Sequence, residues 1–402
     1  MRRGWLRRVG PWAGIGTSPA AMMMGGGLAQ GVEGWTLPIA LVVGTAVLAA
    51  IATTQGLVGQ TTRLPLLSIT SGPLGRLGSR RIASPIILAM MVGWFALNVS
   101  VAGTALGRLI SVPDQVGMGL FAVGMLSVTW FGVNALSWSA LAAGIATVLI
   151  AIDGVRVVVG ERELSILGDG RAQQPIGLVP AIALVVGYGA AFALRTPDFT
   201  NDLERPRHVV WCALAGLAGP LVVFGLVGAV LQQSTGTWNL ADVLRDLGSP
   251  TIAYLFVVIG FTGSVMSNLY SGALSLSDAV PRIGYRLGLL LVGAIGTALA
   301  ALHFSRWMLP YLTTMALAAP PLAVICWIQR RDARSPGDVN WRTAGIAAWT
   351  IGLVVGLGSN AVGLGLALPA GIAAAGASYA LLLTGERRGA SLGKRGKPLD
   401  EI

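Results

Sequence analysis

Charge is what this chain has least of. Only 11% of its 402 residues are charged, against about a quarter in a soluble domain, which excludes a water-exposed globule. Carboxylates number 17, and none falls midway along an apolar run. That argues against a proton relay of the usual buried-acid kind and leaves a membrane enzyme without its acids and bases. No HExxH helix and no Walker loop occurs, so zinc hydrolysis and P-loop phosphate chemistry lose their sequence support. The two cysteines, Cys212 and Cys326, fall within apolar stretches and lack metal-site spacing. They read as small core residues, not as a disulfide. No catalytic residue is assigned.

What the chain has in abundance is apolar sequence, 54% of its residues. It comes in runs of about 20, the length of a spanning helix and twice that of a barrel strand. The fold class is therefore an all-α polytopic membrane protein. Twelve transmembrane helices are expected, at about 9–31, 36–57, 82–107, 114–132, 134–154, 176–197, 208–231, 250–273, 285–303, 305–328, 342–361 and 364–385. Met1 to Arg8 has the look of a signal peptide's basic region, but the span after it flows into others and reads as a retained first helix. Residues 156–175 are expected as an external loop and 386–402 as a disordered basic tail.

A net charge of +11 would suggest nucleic acid in a soluble protein; here the basic residues flank spans. With the N-terminus inside, 21 of the 28 lie on the cytoplasmic side and six outside, with Arg195 embedded. That bias predicts a plasma (inner) membrane protein with both termini in the cytoplasm, partnered by the lipid bilayer and not by nucleic acid.

The spans also repeat. Spans one and six begin about 167 residues apart, three and eight about 168, and the next two pairs about 171. A five-helix unit at 1–155 thus recurs at 176–328, with helices 11 and 12 after it within 329–385. An odd-numbered unit enters the membrane from the opposite side on its second pass. The result is a 5+5 inverted repeat plus two C-terminal helices, the architecture of alternating-access transporters.

Within the first span, Pro19 and the triplet Gly25 to Gly27 predict a break near 18–24. Backbone groups freed in hydrocarbon cost several kcal/mol each unless something satisfies them. Such a break therefore lines a binding cavity, or else it is a plain kink. The sixth span places Gly187, Tyr188 and Gly189 at the matching depth, and a second break is expected near 187–190.

Two further patterns offer chemistry. Trp94 and Asn98 lie one turn apart on one face of the third span. An indole provides a stacking plane worth about 0.5–1.5 kcal/mol beyond its buried area, and an amide one acceptor and two donors. The pair suits a planar heterocycle, or else it is a packing tryptophan beside an interhelical hydrogen bond. In the eighth span Ser264, Ser267, Asn268 and Ser271 form a stripe at i, i+3, i+4 and i+7. They hold a dehydrated monovalent cation together with first-helix carbonyls, or they let helices approach closely. Arg195 and Asp198, a turn apart, read as an ion pair or gate element.

Five segments in order along the chain carry a resemblance. They are Pro19 to Gly31, Val92-Gly93-Trp94-Phe95, Thr196-Pro197-Asp198-Phe199, Leu269-Tyr270-Ser271-Gly272 and Ala318-Ala319-Pro320-Pro321. Together they resemble the nucleobase–cation symporter family, its cytosine permease and hydantoin permease group. The resemblance implies a leucine-transporter-like fold. It also implies substrate binding by Met22, Trp94, Asn98, Gly187, Tyr188, Gly189 and Asn268. A sodium site is implied on Ser18, Ala21, Gly260, Gly263 and Ser264, with no other cofactor. The chain departs from the cytosine permease at Met91, where a glutamine is expected, and at Gly189, where an aromatic is. Gly263 and Val265 replace a hydroxyl and an amide near the cation. These changes leave the choice between Na+ and H+ open, and with it the polarity of the ring.

The expectation is a non-enzymatic secondary transporter, a permease importing a nucleobase such as cytosine or a purine by cation-coupled alternating access. The same fold with another cargo is the alternative: a hydroxymethylpyrimidine or thiamine precursor, a hydantoin or allantoin, or a small amine. A non-transporting membrane protein is the remaining one.

Overall fold

A chain that enters hydrocarbon must satisfy its own backbone, and helices do so within one segment. The computed structural model accordingly consists of helices; it describes residues 4–130, 134–161, 175–248, 251–330, 339–363 and 365–395. Among the described residues, nine helices are long and apolar enough to cross a membrane.

The first span is two pieces, α1 (Gly10–Gly16) and α2 (Pro19–Ala29). Next come α3 (Thr36–Thr62), the short α4 (Leu66–Leu74), α5 (Arg76–Leu109), α6 (Asp114–Trp130) and α7 (Asn134–Glu161). The second half holds α8 (Leu178–Arg195), α9 (Pro206–Thr235), the short α10 (Leu240–Asp246), α11 (Ile252–Ala279), α12 (Tyr285–Ala301) and α13 (Met308–Gln329). Two more, α14 (Thr343–Ala361) and α15 (Ala367–Arg395), close the chain.

Several expectations need correction. The first span does break, at Thr17–Ser18 and so at the start of the expected window, but the glycines take no part in it, since α2 runs through Gly25 to Gly27 without interruption. Those glycines serve packing: a Cβ on Gly25 would overlap the Gly225 carbonyl of α9, and one on Gly228 the Met22 carbonyl. Small residues let two membrane backbones meet in this way. The break expected near 187–190 does not occur, because α8 is one helix from Leu178 to Arg195. Its glycines also face neighbours, Gly187 the Leu312 carbonyl and Gly189 the Leu48 side chain.

The fifth span extends to Glu161, shortening the expected loop; 162–174 lie outside the described residues. Asp153 consequently sits inside the apolar stretch Ala142–Val159, with one carboxylate oxygen buried and unpaired, where the sequence predicts no carboxylate. The tail is helical as far as Arg395, and 396–402 lie outside the described residues.

Packing sorts the helices into two groups. In one, α2 lies on α9 and α3 on α8. In the other, α5 lies along α11, with α6 and α12 against them. Exposed apolar side chains at turn spacing, such as Val116, Leu120 and Val123 on α6, suit contact with lipid. Charges pair at helix ends, Arg8 with Asp202 and Arg108 with Asp242.

Candidate functional site

The junction of α1 and α2 is held in place on both sides. Ser18 is extended (φ −65°, ψ 143°) and its hydroxyl accepts the Ala20 N–H at 3.2 Å, an N-cap for α2. On the α1 side, the Ile15 carbonyl accepts the Tyr188 hydroxyl of α8 at 2.7 Å. Groups freed by the break are therefore partly satisfied by protein, and the junction borders a cavity between the two helix groups.

Ile15, Ser18 and Ala20 line that cavity from the first span, and Met91, Trp94 and Asn98 from α5. Tyr188, Ala191, Phe192 and Arg195 come from α8 with Phe199 just beyond it, and Ser264, Ser267 and Asn268 from α11. The volume that water centres can occupy is about 50 Å³. One water needs about 10–15 Å³ by this measure, so the cavity holds more than one.

Trp94 is braced by two edge-on rings, Tyr188 at 5.4 Å and 87° and Tyr311 at 5.7 Å and 83°. Such pairs favour a perpendicular arrangement because a ring's positive edge meets a negative face. Tyr311 is fixed in turn by donating its hydroxyl to the Met90 carbonyl at 2.5 Å. Gly93 makes room, since a Cβ there would run into the Tyr311 ring.

Asn98, 2% exposed, donates through Nδ2 to Ser264 Oγ at 3.3 Å, while its Oδ1 is buried without a partner. An orphaned buried acceptor costs about 1–3 kcal/mol, which a ligand N–H would recover. Ser264 itself donates to the Phe261 carbonyl at 3.1 Å. At the end of α8, Arg195 Nε donates to Asp198 Oδ2 at 3.2 Å, and Asp198 Oδ1 accepts the Leu66 N–H at 2.8 Å.

Of the residues singled out in the sequence, Trp94, Asn98, Tyr188, Asn268, Ser18 and Ser264 converge on this cavity. Met22, Gly187 and Gly189 do not line it: Met22 is 1% exposed in the core, and both glycines are taken up by helix contacts. Ala21, Gly260 and Gly263 also lie outside the lining, and Ser271 is buried apart from it. Ser267, read with the polar stripe, also lines it, and Phe192 and Phe199 join the site although the sequence reading assigns these two no ligand. Their signal is present in the spacing, because Phe192, Arg195 and Phe199 recur at i, i+3 and i+7; the two phenyl rings stack at 5.6 Å and 19°.

Pro19, at the start of α2, abuts Gly260, and Thr147 Oγ1 of α7 stands 3.4 Å from where a Gly260 Cβ would be. The Ser18 carbonyl accepts the Ala21 N–H at 2.8 Å and the Thr147 hydroxyl donates to the Ala143 carbonyl at 2.8 Å. Each keeps a lone pair free. Thr147 is a hydroxyl near this place to which sequence spacing does not point.

The sequence profile of a family described as "Permease for cytosine/purines, uracil, thiamine, allantoin" matches residues 5–331. Among solved structures, the inward-facing conformation of Mhp1 matches at TM-score 0.80 and 18% identity, covering 95% of this chain and 92% of that one. Mhp1, a nucleobase-cation-symport-1 family transporter, in a closed conformation with bromovinylhydantoin bound, matches at 0.77 and 17%, covering 94% and 91%. A Na+-coupled sialic acid symporter in a substrate-bound outward-open state matches at 0.61 and 14%, covering 92% and 88%. No curated protein sequence matches the chain. At these identities the structures establish the fold, and the profile, spanning most of the chain, establishes the family. The chain belongs to the family of permeases for cytosine and purines, uracil, thiamine and allantoin; it is a multi-pass membrane transporter and not an enzyme.

Proposed function

We propose that this permease imports a planar heterocycle of the nucleobase type by cation-coupled alternating access. The observation that carries the reading is the buried Asn98, its unpaired Oδ1 one turn above a braced Trp94 on a cavity wall. The ring stacks on Trp94 and meets Asn98 and Asn268 at its polar edges, with Tyr188 and Ser18 also on the cavity wall. Twelve crossings arranged as an inverted repeat, with both termini in the cytoplasm of the plasma membrane, supply the two helix groups whose rocking alternates access. The basic residues beside the spans support that orientation.

Na+ is the coupling ion that the oxygen set suits, held by carbonyls of Ser18, Ala21, Gly260 and Gly263 with the hydroxyls of Ser264 and Thr147. Bound there, it would neutralise nothing on the ligand; it would join α2 to α11.

Reconstituted protein tests this directly. Proteoliposomes should accumulate labelled uracil, cytosine or hydantoin under an inward sodium gradient, and Trp94→Ala should reduce uptake to background. Accumulation driven only by a proton gradient would displace sodium from the scheme. No movement of any heterocycle would sink the transport reading while leaving the fold intact.

A further inference from the structure

Arg195 is the one charged side chain among the described residues lining the cavity. It is 13% exposed, and its guanidinium carries five N–H donors. Among the described residues, its Nε reaches Asp198 at 3.2 Å and its Nη1 has only the Met91 thioether at 3.8 Å, a weak acceptor. Phe199 lies beside the guanidinium carbon, 5.9 Å from ring centroid, and supplies no acceptor oxygen. Most of the guanidinium fork therefore borders the cavity without a strong acceptor. Asp198 already balances the charge and takes the Leu66 N–H besides, so an anionic ligand is not demanded. An acceptor oxygen is.

The other polar end of the cavity asks for the opposite. Asn98 Oδ1 lacks a donor, and its Nδ2 is committed to Ser264. Met91, Trp94 and Asn98 stand at i, i+3 and i+7 on one face of α5. At 1.5 Å of rise per residue, Asn98 and the Met91–Arg195 contact are about 10 Å apart along the axis, with the indole between them.

We propose that Arg195 is a specificity-determining residue that makes the cavity select a ring carrying both a carbonyl oxygen and an N–H. The carbonyl accepts from the Arg195 fork and the N–H donates to Asn98 Oδ1, as a cyclic amide or ureide such as uracil or hydantoin allows. A cationic ligand such as thiamine meets the guanidinium instead and is rejected. This rests on reading the cavity as the transport site.

Titration calorimetry on the full-length purified protein, with uracil, hydantoin and thiamine as probes, decides the matter. Wild type should bind uracil or hydantoin at least about tenfold more tightly than thiamine. Arg195→Gln should weaken the carbonyl rings by about tenfold, the effect of losing hydrogen bonds from a charged donor. Arg195→Lys keeps a cation for Asp198, and with it the local fold, but lacks the planar fork. It should also weaken those rings, at an unchanged unfolding temperature. Wild-type affinity for uracil and hydantoin in both Arg195 variants, with loss in Trp94→Ala, would overturn the proposal and leave the transport site standing. Thiamine binding more tightly than either ring would overturn it as well. Absence of heterocycle binding to wild type would remove both.

Discussion

The first span and α8 both place glycine at mid-depth, yet only one of them breaks. Glycine alone does not interrupt a helix whose backbone bonds are protected from water. Pro19 does so by removing a donor and blocking the turn before it, and Ser18 then caps α2. In α8 the proline, Pro180, sits in the first turn, where no helical partner is lost, and the helix uses Gly187 to seat the Leu312 carbonyl of α13. Glycine is a contact surface in both helices, and the break belongs to Ser18 and Pro19.

That contrast can be probed by substitution, with unfolding of the purified protein as the measurement. Gly187→Ala should have the largest effect, about 3 kcal/mol, because the new methyl meets backbone that cannot swing aside. Wild-type stability in this variant would mean that α8 and α13 are not in close contact. Tyr188→Phe should cost about 1.5 kcal/mol by leaving the Ile15 carbonyl of the broken span without its donor. Ser18→Ala should cost about 1 kcal/mol as a lost helix cap, and Ser18→Asp should keep most of that stability because a carboxylate also caps. A loss in Ser18→Asp as large as in Ser18→Ala would show that the hydroxyl matters for something other than capping. Gly189→Ala should be mildest, about 0.5 kcal/mol, since the Leu48 methyls it meets belong to a side chain able to rotate.

Hydropathy makes the long elements legible: the span expected at 36–57 is α3, Thr36–Thr62, and that at 342–361 is α14, Thr343–Ala361. The short α4 and α10 escape it, because nine and seven residues are too few for a spanning signal and too amphipathic for a loop. Helical spacing finds Trp94 with Asn98 and the polar face of α11, since periodicity reports which residues share a face. It does not report which face meets a cavity. Met22 and Gly187, assigned to a ligand by family resemblance, serve helix contacts instead. Arg195 reads from sequence as an ion pair, and the structure forms it with Asp198 while also placing Arg195 on the cavity wall. Asp153 is misplaced for a simpler reason: the span around it runs on to Glu161, past the expected end at 154.

Ser264 lines the cavity and holds Asn98 through one hydrogen bond. In the proposed scheme the same hydroxyl also serves sodium, so filling either place would alter the partner of the other. Linkage of this kind is reciprocal. If sodium tightens the hold on cargo by some factor, cargo must tighten the hold on sodium by the same factor, and two titrations run in opposite order should return one number.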